Sequence, residues 1–248
     1  MTDVLGWRRK FGVIGPSTNT IVQPDFDDMR PPGVTNHYSR IVVEDARAIS
    51  DETFMEGTLE ISRNTIAAVK GVLTAAPDYL VMGMSAVTFY GGKEGSSAWK
   101  RQIEDVARMG VSIGAEALVA AIRAYGDIHR VAFLSPYYPV ANDQVKKYLA
   151  DHEIEVVRDI CLRCPRWTAI AEVSEKELSR HLLDLDCKEA DALLQVGTNL
   201  SMVRLAAAAE RFFGKPVIAI NTATYWHALR SNGIDDKISG FGSLLEKF

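Results

Sequence analysis

The stretch of sequence that decides the fold is Tyr79-Leu80-Val81-Met82-Gly83-Met84-Ser85-Ala86-Val87-Thr88-Phe89-Tyr90-Gly91-Gly92. Its first four residues are large and apolar, which is typical of a strand buried on both faces of a parallel sheet. Gly83 then removes the side chain where the strand ends, so that a backbone or a ligand can approach closely. Ligands of open α/β sheets bind beyond the carboxyl ends of strands. Gly83-Met84-Ser85 therefore predicts an anion-binding loop, with an ordinary turn as the alternative.

The composition is that of a globular protein of enzyme size. The chain has 248 residues, 47% hydrophobic and 24% charged, with a net charge of -4. This charge is spread without a basic block, which favours neither a nucleic acid nor a membrane surface as partner. The start lacks the apolar core of a signal peptide, and no apolar run reaches transmembrane length. Three cysteines are more typical of thiols in a reducing compartment than of a disulfide framework, so we expect a cytoplasmic protein.

Strands and helices alternate along the chain, which predicts an α/β fold with mainly parallel sheets. Ser50 or Asp51 is expected to cap the first long helix, and Ser174 with Glu177 predicts a capping box. Residues 24–33, with three prolines, and residues 91–95 are predicted to be irregular. The predicted strands are 11–15, 37–44, 79–84, 111–113, 129–134, 153–162, 192–196 and 216–220, and the predicted helices are 51–76, 98–109, 116–125, 139–152, 174–190, 201–213 and 222–231.

The two halves of the chain resemble each other. Residues 113–126 align without gaps on residues 220–233, with alanine, arginine and glycine matching at three positions. Shorter matches join Gly12–Ser17 to Ala132–Tyr137 and Leu80–Ser85 to Leu193–Thr198. Such a repeat predicts two pseudo-symmetric, doubly wound parallel-sheet halves with the active site in the cleft between them. We expect residues 1–115 with 220–248 to form the first half and residues 116–219 to form the second.

A duplication of this kind would bring four strand-end loops together. They carry hydroxyl and amide side chains beside backbone N–H groups, with hardly a charge among them. A water-poor pocket of neutral donors suits a carboxylate, and it suits still better an enediolate whose charge grows during a reaction. The side chains concerned are Ser17, Asn19, Ser85, Tyr137, Thr198 and Asn199.

These loops resemble the maleate isomerase and arylmalonate decarboxylase branch of the aspartate/glutamate racemase superfamily. The resemblance implies two α/β halves with the site between them. It also implies that Asn19 binds substrate, that Met84 and Ser85 form a dioxyanion pocket, and that Tyr137 is the tyrosine of the third loop. The motifs that carry it are Gly15-Pro16-Ser17-Thr18-Asn19-Thr20, residues 82–91, Ser135-Pro136-Tyr137, Gly197-Thr198-Asn199-Leu200 and residues 226–230.

The chain departs from this family where racemases and isomerases carry a cysteine in each half. The first position falls on Gly83, as in the decarboxylase, and the second falls on Gly197 or, with a shift of one residue, on Val196. Racemisation by two thiols and thiolate addition to a double bond are therefore both unsupported. We expect a cofactor-independent, decarboxylase-like enzyme that acts on a small (di)carboxylic acid through a stabilised enediolate.

Two other functions stay open at this point. One is a cis-trans isomerase, lyase or hydrolase of a small carboxylate or amide that uses water or a hydroxyl in place of the thiols. The other is a carboxylate-binding protein without catalysis.

The expected site contains catalytic and substrate-binding residues. Ser85, Tyr137 and His37 are the catalytic candidates. Ser85 is favoured as a hydrogen-bond donor over a nucleophile, because no base is fixed beside it. His37 is the histidine expected in a loop that reaches the site, with a surface or structural role as the alternative. The expected substrate-binding residues are Asn19, Ser17, Gly83, Met84, Gly197, Thr198 and Asn199.

No cofactor and no metal are predicted. Gly12-Val13-Ile14-Gly15 lacks the full spacing of a phosphate-binding fingerprint. The lone pair Cys161 and Cys164, without a second pair or a histidine partner, is weak evidence for zinc. The expected partner is a small carboxylate substrate, and a homo-oligomer stays open.

Overall fold

Each half of the protein is built on a four-stranded parallel sheet. The computed structural model describes residues 3–248. The two sheets have equivalent strand orders, β2-β1-β3-β4 and β6-β5-β7-β8, which confirms the predicted fold of two pseudo-symmetric α/β halves. The strands are β1 (Arg9–Pro16), β2 (Val34–Ile41), β3 (Tyr79–Met82), β4 (Val111–Ser112), β5 (Arg130–Ser135), β6 (Glu155–Cys161), β7 (Ala192–Gln195) and β8 (Val217–Ala219).

Helices cover the sheets. Between Asp3 and Phe248, no helix is both long enough and apolar enough to cross a membrane. Short 3-10 turns occur at Ala86–Phe89 and Thr168–Glu172. The helices are α1 (Val22–Asp28), α2 (Asp51–Leu73), α3 (Gly92–Ala107), α4 (Gly114–Ala124), α5 (Pro139–Ala150), α6 (Glu175–Leu185), α7 (Val203–Phe213), α8 (Ile220–Ser231) and α9 (Ser243–Lys247).

The central strands are apolar because both of their faces are covered. Val13 and Ile14 of β1 and Leu80 and Val81 of β3 have no exposed surface, as expected for the middle of a parallel sheet. The edge strand β2 is only half-buried along most of its length. The carboxyl ends of the central strands are therefore held rigidly, and the loops that follow them start from fixed positions.

The predicted helix caps are present. The Ser50 hydroxyl accepts a hydrogen bond from the Thr53 N–H at 3.3 Å, and Thr53 Oγ1 accepts one from the Ser50 N–H at 3.0 Å. This reciprocal capping box fixes the start of α2. The Ser174 hydroxyl likewise accepts from the Glu177 N–H at 3.3 Å. Among the hydrogen bonds of residues 3–248 the Glu177 carboxylate makes no return bond to Ser174, so only half of that predicted box forms.

Two segments that the sequence predicts to be irregular are helical in part, residues 24–28 of the first and residues 92–95 of the second. Residues 22–28 form α1, because Pro24 lies in its first turn, where a missing N–H breaks no hydrogen bond. Residues 91–95 contain the start of α3. Asp151, which directly follows α5, accepts a hydrogen bond from the Lys93 N–H at 2.8 Å and so caps this helix from the other half. The second correction depends on a contact that lies outside the local sequence.

The last long helix returns to the first half. Although α8 follows β8 directly, it packs against β3, β4 and α1 of the first half, and it also contacts α4, where the second half begins. Tyr225 of α8 donates to Asn36 Oδ1 at 3.1 Å, and His227 Nδ1 lies 2.7 Å from Ser112 Oγ. This packing supports the proposal that residues 220–248 belong with residues 1–115.

Candidate active site

A cavity lies between the two sheets, where the carboxyl ends of the central strands face each other. Its volume is about 50 Å³. No charged side chain occurs among its described lining residues, so any ligand meets only neutral groups. The lining residues are Pro16, Thr18, Asn19, Thr58, Ile61, Met84, Ser85, Ala86, Val87, Tyr137, Trp167, Ile170, Gly197, Thr198 and Asn199.

One hydroxyl pair joins the two halves across this cavity. Ser85 precedes the 3-10 turn that follows β3, and Tyr137 follows β5. Ser85 Oγ lies 2.8 Å from the Tyr137 phenol oxygen, and both residues are buried. Burial raises the pKa of Tyr137, although the hydrogen bond with Ser85 opposes this effect. The phenol therefore stays protonated and neutral, as a hydrogen-bond or proton donor must be.

Asn19 ties the first loop to the second half. Its Nδ2 donates to Thr198 Oγ1 at 3.0 Å, and its Oδ1 accepts from the N–H groups of Ile21 and Val22, both at 3.0 Å. The side chain thus caps α1 and forms part of the cavity wall. All of its strong hydrogen bonds go to the protein itself, so its role in binding substrate stays a prediction.

Asn199 is a second tie between the halves. Its Oδ1 accepts from the Thr20 N–H at 2.9 Å, and its Nδ2 donates to the Trp167 carbonyl at 2.9 Å. The side chain therefore holds Trp167 over the cavity. As with Asn19, all of its side-chain hydrogen bonds go to protein groups.

Several backbone N–H groups at the cavity are unpaired, and four of them belong to the two residues after Gly83 and the two residues after Gly197. These four follow the central strand ends of both halves. Within residues 3–248 no protein group accepts a hydrogen bond from any of them. Unpaired N–H groups at a cavity can bind an anion without any charged side chain. They belong to Met84, Ser85, Thr198 and Asn199.

An apolar wall completes the cavity. Trp167 packs against Phe54 of α2 with ring centroids 5.0 Å apart. Gly57 makes this packing possible, because a Cβ there would lie 2.7 Å from Trp167 Cζ2. Sequence reasoning missed Trp167, which lies between β6 and the 3-10 turn at Thr168–Glu172, and it missed Thr58 and Ile61, which line the same cavity from α2. The helical spacing of 54, 58 and 61 indicates a buried face, but it does not show that this face meets a cavity.

Three sequence-predicted site residues lie elsewhere. His37 is in the middle of β2, with its Nε2 3.0 Å from Thr35 Oγ1. It is four residues from the strand end, which is about 13 Å at 3.3 Å per residue. The expectation that His37 sits in a loop and reaches the site is therefore wrong.

Ser17 and Gly83 do not line the cavity either. Ser17 Oγ exchanges hydrogen bonds with the backbone of Val43, each at 3.2 Å, and so fixes the connection after β2. Gly83 donates its N–H to the Ile14 carbonyl at 2.7 Å. Its own carbonyl accepts from Thr198 Oγ1 at 3.1 Å. Gly83 therefore shapes the loop from behind and presents no free polar group.

The protein has no thiol at the cavity. Gly197 has φ of +110°, and a Cβ there would lie 2.4 Å from Pro136 Cδ, so this backbone cannot carry a cysteine. At Gly83 a Cβ would lie 3.2 Å from the Val22 methyl groups, a tight but adjustable contact. All three cysteines lie outside the lining. Burial raises the pKa of Cys161 to about 11 and that of Cys164 to about 12, which leaves both thiols protonated and unreactive.

The fold and the site define a two-lobed α/β protein with a neutral cavity between equivalent strand ends. The family model for arylmalonate decarboxylase matches residues 22–245. The chain belongs to this family, and its relatives are enzymes.

Similar proteins are found in both functional branches of the family. Maleate isomerase of Nocardia farcinica (strain IFM 10152) is 26% identical over 247 residues, covering 96% of each chain. One solved structure is a cysteine-to-serine variant of the Nocardia farcinica maleate cis-trans isomerase with a covalently bound succinylcysteine intermediate. It is 24% identical with a TM-score of 0.87 over 97% of this chain and 99% of that one. Unliganded arylmalonate decarboxylase has 19% identity and a TM-score of 0.78 over 97% and 100%. The predicted branch of the superfamily is confirmed.

Proposed function

We propose that the protein is a cofactor-independent decarboxylase of a malonate-type dicarboxylic acid. The observation that carries this proposal is the set of four unpaired backbone N–H groups in a cavity that has no thiol. Neutral donors fixed in a water-poor site stabilise a negative charge that grows during a reaction. The family model that matches this chain, arylmalonate decarboxylase, supports the same reaction class.

In the proposed reaction, the two carboxylates of the substrate meet different surroundings. One accepts hydrogen bonds from the N–H groups on both halves. The other lies against the apolar wall of Ile61, Trp167 and Ile170, where a carboxylate loses hydration and is destabilised. The bond from the α-carbon to this second carboxylate breaks, and CO2 leaves. The electron pair moves into the remaining carboxylate, which becomes an enediolate held by the same N–H donors.

A proton must then reach the α-carbon. The hydroxyl pair Ser85 and Tyr137 is the proposed source, because both residues line the cavity and neither hydroxyl is bonded to a backbone carbonyl of residues 3–248. Since burial raises the pKa of Tyr137, the phenol is protonated when substrate binds. Transfer of its proton leaves a buried phenolate, which burial destabilises. Water reprotonates the phenolate through Ser85, so one proton is consumed for each CO2 released.

A second candidate is a cis-trans isomerase, lyase or hydrolase that uses a hydroxyl or water. The similarity to maleate isomerase over nearly the whole chain favours this candidate. The succinylcysteine intermediate of the Nocardia farcinica enzyme requires a cysteine. A thiol adduct is therefore not part of the proposal, and Ser85 or a water molecule would have to add to the double bond instead. Binding of a carboxylate without turnover is the third alternative.

Incubation with substituted malonates and with maleate in D2O, followed by NMR, distinguishes these functions. A monocarboxylic product with deuterium at the α-carbon supports the decarboxylase. Conversion of maleate to fumarate or to a hydration product instead supports the second candidate. Thermal stabilisation by these acids without any product would leave only the binding protein.

A further inference from the structure

Two peptide groups at the cavity have their carbonyl oxygens fixed by buried side chains. The Gly83 carbonyl accepts a hydrogen bond from Thr198 Oγ1 at 3.1 Å. The Thr198 carbonyl accepts one from Asn221 Nδ2 at 3.0 Å. In a trans peptide the C=O and the following N–H point in opposite directions. These bonds therefore also set the directions of the Met84 and Asn199 N–H groups, two of the four unpaired donors.

Asn221 is buried in a position that leaves one of its polar atoms without a hydrogen bond to the described part of the chain. It is the second residue of α8 and is buried. Besides Thr198, its Nδ2 donates to Asp25 Oδ2 at 2.7 Å. The reverse orientation of the amide would place Oδ1 against two acceptor oxygens, so the contacts fix which atom is the donor. In this orientation Oδ1 has no hydrogen-bond partner among residues 3–248. An unpaired buried oxygen is destabilising. Destabilising arrangements of this kind are expected mainly at functional sites.

We propose that Asp25 and Asn221 are positioning residues that direct the Asn199 N–H towards the substrate carboxylate. This inference rests on the proposed function. The connection runs from the Asp25 carboxylate through the Asn221 amide and the Thr198 carbonyl to the Asn199 N–H. Neither Asp25 nor Asn221 lines the cavity, so both act through the Thr198 peptide. The negative charge of Asp25 strengthens the bond from Nδ2 and holds the amide in this orientation.

The charge of Asp25 depends on pH in the physiological range. Burial is the largest effect and raises the pKa of Asp25 to about 6, while the hydrogen bond from Asn221 lowers it. Asp28 of the same helix raises the pKa further, and Arg204 of α7 lowers it. Tyr38 of β2 is a neutral neighbour, because burial raises its own pKa. Below the pKa of Asp25 the charge is lost, so the hold on the Asn221 amide weakens.

The direct test is a titration of the backbone amide resonances by NMR, from about pH 5 to about pH 8. In the natural protein the Asn199 resonance is expected to shift with a midpoint near the Asp25 pKa of about 6. The Met84 resonance is the internal control, because Thr198 Oγ1 fixes its peptide. In Asp25→Asn the shift of the Asn199 resonance is expected to disappear.

Asp28→Asn is the matched control variant. It removes a charge from the same helix, but its partner is Arg204 at 2.9 Å and not Asn221. The titration of Asn199 is therefore expected to persist in this variant. An Asn199 resonance that does not titrate in the natural protein, or that titrates equally in Asp25→Asn, overturns the inference.

Kinetics separate this inference from the proposed function. With a malonate-type acid that is turned over, Asn221→Ala is expected to lower kcat about 10-fold, because one donor is no longer held in place. Asp25→Asn is expected to remove an inflection near the pKa of Asp25 from the pH profile of kcat, with KM changed less. Unchanged kcat and an unchanged pH profile in these variants overturn the positioning role and leave the decarboxylase standing. A natural protein that turns over no malonate-type acid overturns the proposed function, and the amide titration then decides the positioning role.

Discussion

Ser85 Oγ and the Tyr137 phenol oxygen lie 2.8 Å apart, although 52 residues separate them in the chain. One residue comes from each half, so this bond exists only when the two halves are joined correctly. The side chains of Asn19 and Asn199 each form several hydrogen bonds with other protein groups. The hydroxyls of Ser85 and Tyr137 are hydrogen-bonded to each other. They are therefore side-chain donors that can turn to form hydrogen bonds with a substrate carboxylate.

Replacement of Tyr137 by phenylalanine tests this pair. The ring of Tyr137 packs on Phe54 with centroids 5.3 Å apart, and Tyr137→Phe keeps that contact. The free energy of unfolding is expected to change by about 1 kcal/mol at most, whereas kcat is expected to fall about 100-fold. Tyr138→Phe is the control, since Tyr138 packs on the same Phe54 ring at 6.0 Å but does not line the cavity. Equal kcat values for the two variants would exclude a catalytic role for the Tyr137 hydroxyl.

Two variants of Asn19 separate its structural role from a role in binding. Asn19→Ala loses the cap of α1, which is expected to lower the free energy of unfolding by about 1 kcal/mol. Asn19→Asp keeps an acceptor for the Ile21 and Val22 N–H groups but loses the donor to Thr198 Oγ1. Its carboxylate would also repel an anionic ligand.

We therefore expect low turnover in both Asn19 variants, with stability lowered in Asn19→Ala by the lost cap and in Asn19→Asp by the buried carboxylate. Urea unfolding and turnover of the same preparations are the measurements. Full activity of Asn19→Asp would contradict the placement of Asn19 in an anion-binding wall.

Gly197→Ala is expected to destabilise the protein strongly. The backbone φ of +110° and the contact of a Cβ with Pro136 Cδ act together. The cost is expected to be about 2 kcal/mol or more. Gly126→Ala is the control, because Gly126 has a φ of +93° but no atom within 4 Å of the added Cβ. Its cost, about 1 kcal/mol, is that of backbone strain alone. Similar midpoints of urea unfolding for the two variants would refute the steric argument.

His227 is expected to make the protein less stable as the pH falls. Burial lowers the pKa of His227 below its ordinary value, and its Nδ1 lies 2.7 Å from Ser112 Oγ. The unfolded chain binds a proton at about pH 6.5, before the folded protein does. The free energy of unfolding therefore decreases as the pH falls through about 6.5 towards the lowered pKa.

The free energy of unfolding is measured for the natural protein and for His227→Asn, at neutral and at mildly acidic pH. Asp25 acts in the opposite direction, because its raised pKa lets the folded state bind a proton first below about pH 6. This contribution is the same in both proteins and cancels in the difference. His129→Asn, at an exposed histidine, is the control. A pH dependence that is unchanged in His227→Asn would show that another group is responsible.

Much of the fold could be predicted from local sequence. The apolar run at Tyr79–Met82 and the cap at Ser50 each depend on a few neighbouring residues, and both form as expected. Helices α1 and the start of α3 were missed. The cap of α1 comes from Asn19, and the cap of α3 comes from Asp151, 58 residues away from Lys93. Propensity over a short window does not contain the contact with Asp151, whereas Asn19 lies three residues before Val22 and its cap is a local signal that the prediction missed.

The candidate site shows the same division. The internal repeat, the composition of the loops and the family resemblance indicated Asn19, Ser85, Tyr137, Thr198 and Asn199, all of which line one cavity, and also Ser17, which does not. Composition also suggested His37, which the register of β2 places away from the cavity. Trp167 and Asn221 gave no signal in the sequence, since their roles depend on which element they face.

The sequence by itself determined the alternating strands and helices, the neutral loops at the strand ends and the absence of cysteine from them. These features follow from residue type and spacing over a few turns of chain. Only the tertiary structure decided how the loops use their polar groups. Asn19 meets Thr198 across 179 residues, and Asp25 meets Asn221 across 196. Hydrogen bonds reach only about 3 Å, so such pairs depend on how whole sheets and helices are placed. For the Gly83 loop, this placement fixed the carbonyl to Thr198 and left the N–H of Met84 unpaired at the cavity.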